Sequence, residues 1–239
     1  MRDERVPATV VLCCGVPAGI GPAAFRSWIG NAAGAGVPVA WVTAAADAVT
    51  VRDVLHGDPT AGEPALAVDA ALLASRPALR REIAAARVAC GGISCAVAAG
   101  TPALDHRPLL VEQGIRVVAV GGFDRVVRSS RRPAPAAWAC RSLVWGLWEV
   151  RTAPDPLRSA AGRLLPWAFG PRPAAGSLCV VNVDTAALGP HAARTRLERL
   201  VGWIARRTGR VRAEKLSQLP DLLAAAGRPR TDSVLRAAA

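Results

Sequence analysis

Several residue types are scarce in this chain of 239 amino acids. Tyrosine is absent, lysine and methionine occur once each, and histidine occurs three times. Apolar runs are short as well, and none approaches the roughly 18 residues that a membrane-spanning helix needs. The N-terminus lacks the long apolar region and small-residue cleavage site of a secretory signal. We therefore expect a cytoplasmic protein that does not enter the membrane.

Basic residues outnumber acidic residues in only one half of the chain. Residues 1–119 carry ten arginines and ten acidic residues, whereas residues 120–239 carry nineteen arginines and Lys215 against eight acidic residues. The second half therefore holds the whole net charge of +12. A basic half is typical of proteins that bind nucleic acid or another polyanion. The near-replacement of lysine by arginine favours another interpretation, in which biased composition alone produces the surplus.

The six cysteines lie in apolar segments rather than in spaced loop motifs. They are Cys13, Cys14, Cys90, Cys95, Cys140 and Cys179. This placement is typical of buried thiols and argues against a disulfide framework. Zinc accepts thiolate ligands, but Cys13 and Cys14 are neighbours on a predicted strand, so their side chains should point to opposite faces. We expect no metal and no other cofactor.

Short apolar runs alternate with amphipathic stretches along most of the chain. The pattern predicts strands at residues 9–14, 37–43, 65–68, 93–98, 115–120, 143–150, 178–183 and 211–213. It predicts helices at residues 22–34, 75–88, 104–113, 157–165, 190–207 and 217–226. Ser75 is the expected N-cap of its helix. Residues 121–137 are predicted to form a long polar loop.

The alternation of strands and helices predicts an α/β domain with a parallel sheet covered by helices. We assign residues 1–226 to this single domain, since a chain of this length can bury one sizeable core. Residues 227–239 are predicted to form a loosely ordered C-terminal tail. The pattern itself fits a closed barrel and an open, doubly wound sheet equally well.

The order of the segments resembles that of the polysaccharide deacetylase (NodB-homology) family. Residues 10–17 resemble the first strand with its T-F-D-D-G-P motif, and residues 109–115, LLVEQGI, resemble the family's L-L-x-x-x-G-[YI] segment. Residues 180–184, VVNVD, resemble the closing strand, and residues 211–219 resemble the last segment. The resemblance extends over residues 9–224 and implies a distorted (β/α)7 barrel.

The resemblance also implies a catalytic site whose key residues differ here. The family uses an Asp pair and two metal-binding histidines, and the metal polarises the acetyl carbonyl and activates water. Cys13 and Cys14 stand at the positions of the Asp pair. The metal-binding histidines would fall near Ala67 and Ala71. We therefore expect a degenerate member of the family that binds no metal at these positions.

The three histidines of the chain do not replace the metal-binding and catalytic residues of the family. His56, His106 and His191 form no His-x-x-x-His pair, and none falls at the end of a predicted strand. The family's late catalytic histidine corresponds here to Asn182 or Asp184. These two residues, like the two adjacent cysteines, are degenerate site positions.

Arginine and tryptophan concentrate around the sixth predicted strand. Four arginines fall within residues 125–132. Guanidinium groups bind carboxylates and phosphates, and tryptophan rings stack on sugars. The candidate ligand contacts are Arg128, Arg131, Arg132, Arg141 and Trp145. The alternative is core packing, with Trp145 and Leu147 inside the barrel and Trp148 beneath the outer helices.

Three functions fit these observations. The first is a catalytically inactive, deacetylase-like protein that binds a saccharide or a protein of a polysaccharide pathway. The second is an active carbohydrate esterase or other hydrolase with a site rebuilt around Cys13, Cys14 and Asp184. The third is binding of nucleic acid or another polyanion through the basic half. Metal content and deacetylase activity separate the first two, and salt-dependent affinity tests the third.

Overall fold

The computed structural model describes residues 7–100, 106–120, 140–143, 146–153 and 177–225, together with Pro102. The candidate contacts Arg128, Arg131, Arg132 and Trp145 lie outside these residues, as do the predicted loop 121–137, the predicted helix 157–165 and the tail 227–239. In the part that the structure describes, no helix is long and apolar enough to cross a membrane.

Strands and helices alternate in the predicted order. The strands are β1 (Ala8–Gly15), β2 (Val39–Thr43), β3 (Gly62–Val68), β4 (Cys95–Ala98), β5 (Val117–Val120), β6 (Cys140–Ser142), β7 (Trp148–Ala153), β8 (Leu178–Val183) and β9 (Val211–Ala213). The helices are α1 (Pro22–Gly34), α2 (Ala48–Gly57), α3 (Ala70–Leu73), α4 (Arg76–Cys90), α5 (His106–Glu112), α6 (Thr185–Leu188), α7 (Pro190–Ala205) and α8 (Leu219–Ala225).

Seven of the described strands form a closed parallel barrel in the order β1, β2, β3, β4, β5, β7 and β8. Strand β1 closes it by pairing with β8 along residues 9–14 and with β2 along residues 12–15. Strand β9 pairs with residues 8–10 of β1, and β6 adds an antiparallel strand to β7. The predicted (β/α)7 barrel is confirmed, including the contact between residues 9–14 and 178–183.

Alternate residues of the strands face two different apolar regions. The barrel interior holds Val11, Cys13, Ala40, Val42, Ala65, Cys95, Val97, Val117, Ala119, Val150 and Val180. Small side chains predominate because the space inside a narrow barrel is limited. The intervening residues, such as Leu12 and Cys14, pack against the outer helices. Cys13 and Cys14 therefore point to opposite faces, as predicted.

A C-terminal plug (residues 216–225) closes the end of the barrel where the strands begin. Leu216 and Leu219 are buried against the inward-facing residues. The backbone N–H of Ser217 donates to Glu63 Oε1 at 2.9 Å, and its hydroxyl donates to Glu63 Oε2. Since Glu63 is the second residue of β3, a site formed by the strands must lie at the opposite, carboxyl ends.

The predicted strand at residues 143–150 is wrong in position. Strand β7 begins at Trp148, after a turn in which Gly146 has a φ of 80°. Trp148 packs inside the barrel and Leu147 packs in the outer layer, the reverse of the core packing that the sequence suggested. A shift of one residue exchanges the two faces of a strand, which explains the reversal.

Candidate functional site at the carboxyl ends of the barrel strands

The barrel mouth is defined by the last inward-facing residue of each strand. These residues are Gly15, Val42, Ala67, Val97, Ala119, Thr152 and Asn182. Thr152 and Asn182 are the polar members of this set. The Thr152 hydroxyl donates to the Val120 carbonyl at 3.2 Å. The half-buried Asn182 amide makes no hydrogen bond within the described residues.

Cys13 and Cys14 lie below the mouth and are closed from solvent. Burial raises the pKa of Cys13 to about 12, and the negative charge of Glu63 adds to the effect. Burial also raises the pKa of Cys14, and Cys13 contributes to that shift. A thiol must ionise and be reached in order to act as a nucleophile or as a metal ligand. This burial argues against a catalytic site rebuilt around the two thiols.

Strand β8 brings further polar groups to the mouth. Asn182 pairs in register with Cys13, and the exposed Asp184 follows the strand. The next residue, Thr185, lies against Gly15: a Cβ on Gly15 would stand 2.7 Å from Thr185 Oγ1. Glycine at the end of β1 therefore leaves room for this hydroxyl. The Asn182 amide and the Thr185 hydroxyl therefore lie at the carboxyl end of β8, beside the end of β1.

The residues at the positions of the family's metal ligands do not fit a metal. Ala67 faces the mouth and Ala71 lies on α3. His56 and His191 are exposed on α2 and α7, and His106 is buried on α5. Among the described residues, no three His, Cys, Asp or Glu side chains are placed to share a metal ion.

The sequence pattern did not indicate a buried charged cluster on the outer face of β7. Arg107 Nη2 lies 3.1 Å from Glu149 Oε1, and the two side chains are 10% and 0% exposed. The adjacent His106 is buried, and its Nδ1 has no hydrogen-bond partner in the described part of the chain. Arg141, a candidate ligand contact, stands opposite Glu149 in the register of β6 and β7. The sequence feature that could have indicated this cluster is Glu149, an acidic residue within the otherwise apolar segment 143–150.

Two solved structures are similar to this chain over almost its whole length. One, from Mycobacterium smegmatis, is described as a polysaccharide deacetylase; it is 14% identical, with a TM-score of 0.59 over 97% of this chain and 95% of that chain. The other is a family 4 carbohydrate esterase from Streptomyces lividans in complex with acetate; it is 12% identical, with a TM-score of 0.53 over 92% of this chain and 95% of that chain.

No protein-family model matches the sequence, and no curated protein is similar to it in sequence. At such low identities the two structural similarities establish the fold alone. That fold is the deacetylase-type (β/α)7 barrel that the resemblance implies.

Proposed function

We propose that this chain is a deacetylase-fold protein that binds a saccharide at the barrel mouth without hydrolysing it. The observation that carries the proposal is the composition of the mouth. Ala67 and Asn182 at the mouth, and the buried Cys13 and Cys14 below it, stand where the resemblance implies the imidazoles and carboxylates of a metal-dependent deacetylase. The fold of the two structural neighbours supports the saccharide as the class of ligand.

Hydrolysis of an acetyl group requires a base or a metal that activates water. Asp69 follows β3, but its carboxylate accepts a hydrogen bond from the Leu72 N–H at 2.8 Å and so caps α3. Asp184 follows β8, and the histidines of the chain all lie on outer helices. Among the residues that the structure describes, these placements provide no acid–base pair at the mouth, which supports the loss of hydrolytic activity.

The polar groups that remain at the mouth suit a neutral ligand. The Asn182 amide both donates and accepts hydrogen bonds, and so does the Thr185 hydroxyl. Saccharide hydroxyl and acetamido groups offer the complementary donors and acceptors. The small residue Ala67 faces the same mouth, and a sugar ring is the ligand that these polar groups favour.

We further propose that the protein works in a reducing compartment, the cytoplasm. All six cysteines are free thiols, and Cys13, Cys14, Cys90 and Cys95 are buried in the core. Thiols persist in the cytoplasm because its redox buffers keep them reduced.

Binding and hydrolysis can be measured separately on the same protein. Acetate release from N-acetylglucosamine oligomers and acetylated xylan, with added Zn²⁺ or Co²⁺, should not exceed that of buffer. Calorimetry with the same oligosaccharides should detect binding. Asn182→Ala should weaken that binding about tenfold, the value of one ligand hydrogen bond. Asn31→Ala on α1 is the matched control, because that exposed amide contacts Glu198 at 2.9 Å on the outer surface.

Two results would contradict the proposal in different ways. Metal-dependent acetate release, or about one metal per chain that is lost in Cys14→Ala, would show that hydrolytic chemistry survives. Absence of binding to both the N-acetylglucosamine oligomers and acetylated xylan would contradict saccharide binding. Equal binding by Asn182→Ala and Asn31→Ala would show that the barrel mouth is not the binding site.

A further inference from the structure

The turn between α7 and β9 concentrates cations at the plugged end of the barrel. Residues 206–212 read RRTGRVR, which is four arginines among seven residues without an acid. Strand β9 pairs with the first residues of β1, so this basic turn lies at the amino-terminal end of the strands. The basic turn and the barrel mouth are therefore at opposite ends of the protein.

The basic turn is fixed by its own hydrogen bonds. Arg207 N–H donates to Ile204 O at 2.8 Å, and Arg207 O accepts from Arg210 N at 2.7 Å and from Val211 N at 2.9 Å. The Arg207 guanidinium lies 4.9 Å from the ring centroid of Trp203 and donates to the Trp203 carbonyl at 3.3 Å. Arg207 thus holds the turn against α7, and the turn presents its other arginines from a rigid backbone.

The remaining arginines of the basic turn are exposed. Arg212 is paired with Glu214, whereas the side chains of Arg206 and Arg210 make no hydrogen bond or ion pair within the described residues. Thr208 lies between them and adds an exposed hydroxyl. Guanidinium and hydroxyl groups are the side chains that most often contact nucleic-acid phosphates.

We propose that the basic turn binds the phosphate backbone of a nucleic acid. Proteins that hold single strands combine such charges with exposed aromatic rings on which the bases stack. The turn offers no exposed aromatic ring, because Trp203 is 4% exposed and Arg207 lies over its ring. The remaining contacts are electrostatic, and each phosphate that they neutralise releases bound counterions. This surface is independent of the proposed saccharide site.

The test compares two pairs of arginines with the same change of net charge. Arg206→Gln with Arg210→Gln alters the basic turn, and Arg76→Gln with Arg81→Gln alters exposed arginines of α4 that likewise have no described partner. Binding to a fluorescent duplex of about 20 base pairs is measured by anisotropy between roughly 50 and 200 mM salt. The turn variant should lose about tenfold or more in affinity, and its slope of log K against log salt should fall by about two.

Three outcomes would overturn the proposal. Equal losses in both variants would assign binding to net charge alone. Unchanged DNA binding by the turn variant would exclude the basic turn as the binding site. The control is that the turn variant unfolds at the same temperature as the parent chain. If it unfolds earlier, the single variant Arg210→Gln replaces it in the comparison. Equal, turn-dependent binding of polygalacturonate would identify the partner as an acidic polysaccharide. The arginines within residues 125–132 are present in both variants, so their contribution cancels.

Discussion

Arg107 and Glu149 form an ion pair, 3.1 Å between Nη2 and Oε1, that joins α5 to β7 across β5 in the outer layer of the barrel. Glu149 is completely buried, and this guanidinium compensates part of its charge. Burying a charge without a partner is far more costly than leaving a surface pair unmade.

We expect Arg107→Ala to lower the free energy of unfolding by about 3–5 kcal/mol, because it removes a guanidinium from beside a completely buried carboxylate. The control is Arg80→Ala, whose exposed pair with Glu112 is 3.8 Å long and should contribute less than about 1 kcal/mol. Urea denaturation provides the measurement, and equal losses for Arg107→Ala and Arg80→Ala would contradict the buried-pair account.

The thiols should make the fold sensitive to alkali. The folded state raises the pKa of Cys13 from 9.0 to about 12, so above pH 9 the unfolded chain loses protons that the folded chain keeps. The contribution of Cys13 to the free energy of unfolding should therefore be fully present below pH 9 and be lost as the pH rises from 9 to 12. Burial also raises the pKa of Cys14, Cys90, Cys95 and Cys179, and tyrosine is absent and lysine occurs once, so thiols dominate the change in this window. The free energy of unfolding of Cys13→Ala, measured by urea denaturation between these pH values, should fall less steeply than that of the parent chain. An identical dependence on pH in the two proteins would contradict this prediction.

Gly62 should tolerate no side chain. Its φ is 138°, and a Cβ at this position would overlap the backbone oxygen of Val39 on the neighbouring strand. We expect Gly62→Ala to destabilise the protein by more than about 3 kcal/mol, since it adds a steric clash to an unfavourable backbone conformation. Gly36 has a φ of 62° with nothing within 4 Å of its Cβ position, so Gly36→Ala should cost only about 1 kcal/mol. Comparable melting temperatures for the two variants would refute this difference.

Truncation should distinguish the C-terminal plug from the predicted tail. A chain that ends at residue 226 should melt at the temperature of the parent chain, because residues 227–239 are predicted to lie outside the domain. A chain that ends at Lys215 removes Leu216 and Leu219, which are 0% and 1% exposed, and exposes the barrel interior. It should unfold at a much lower temperature or fail to fold. A large loss for the longer chain would place the domain boundary beyond residue 226.

Local signals predicted the regular elements where the pattern was strong. The bounds of β8 and β9 agree with the prediction, and Ser75 caps α4, with its Oγ accepting from Ala78 N at 3.4 Å. Helix α2 was not predicted, because β-branched residues fill much of its length and lower its helix propensity. Val51 and Val54 stabilise it through burial in the outer core, a tertiary effect that the sequence does not display.

The candidate site was only partly predictable for a similar reason. Because successive side chains of a strand point to opposite faces, the sequence was enough to place Cys13 and Cys14 on opposite faces of β1. The contact of Thr185 with Gly15 and the pair of Arg107 with Glu149 join residues far apart in the chain. Such contacts depend on the register around the whole barrel, which no local pattern encodes.

Strand β1 has three partners, and two of them, β8 and β9, belong to the last quarter of the chain. During synthesis the first strand emerges from the ribosome long before those partners exist. Until residue 183 has been made, β1 can pair only with β2, and the edge that β8 covers in the folded protein stays open. Unpaired apolar strand edges associate with other chains. The nascent protein is therefore exposed to aggregation through its own N-terminal strand for most of the time that it takes to be translated.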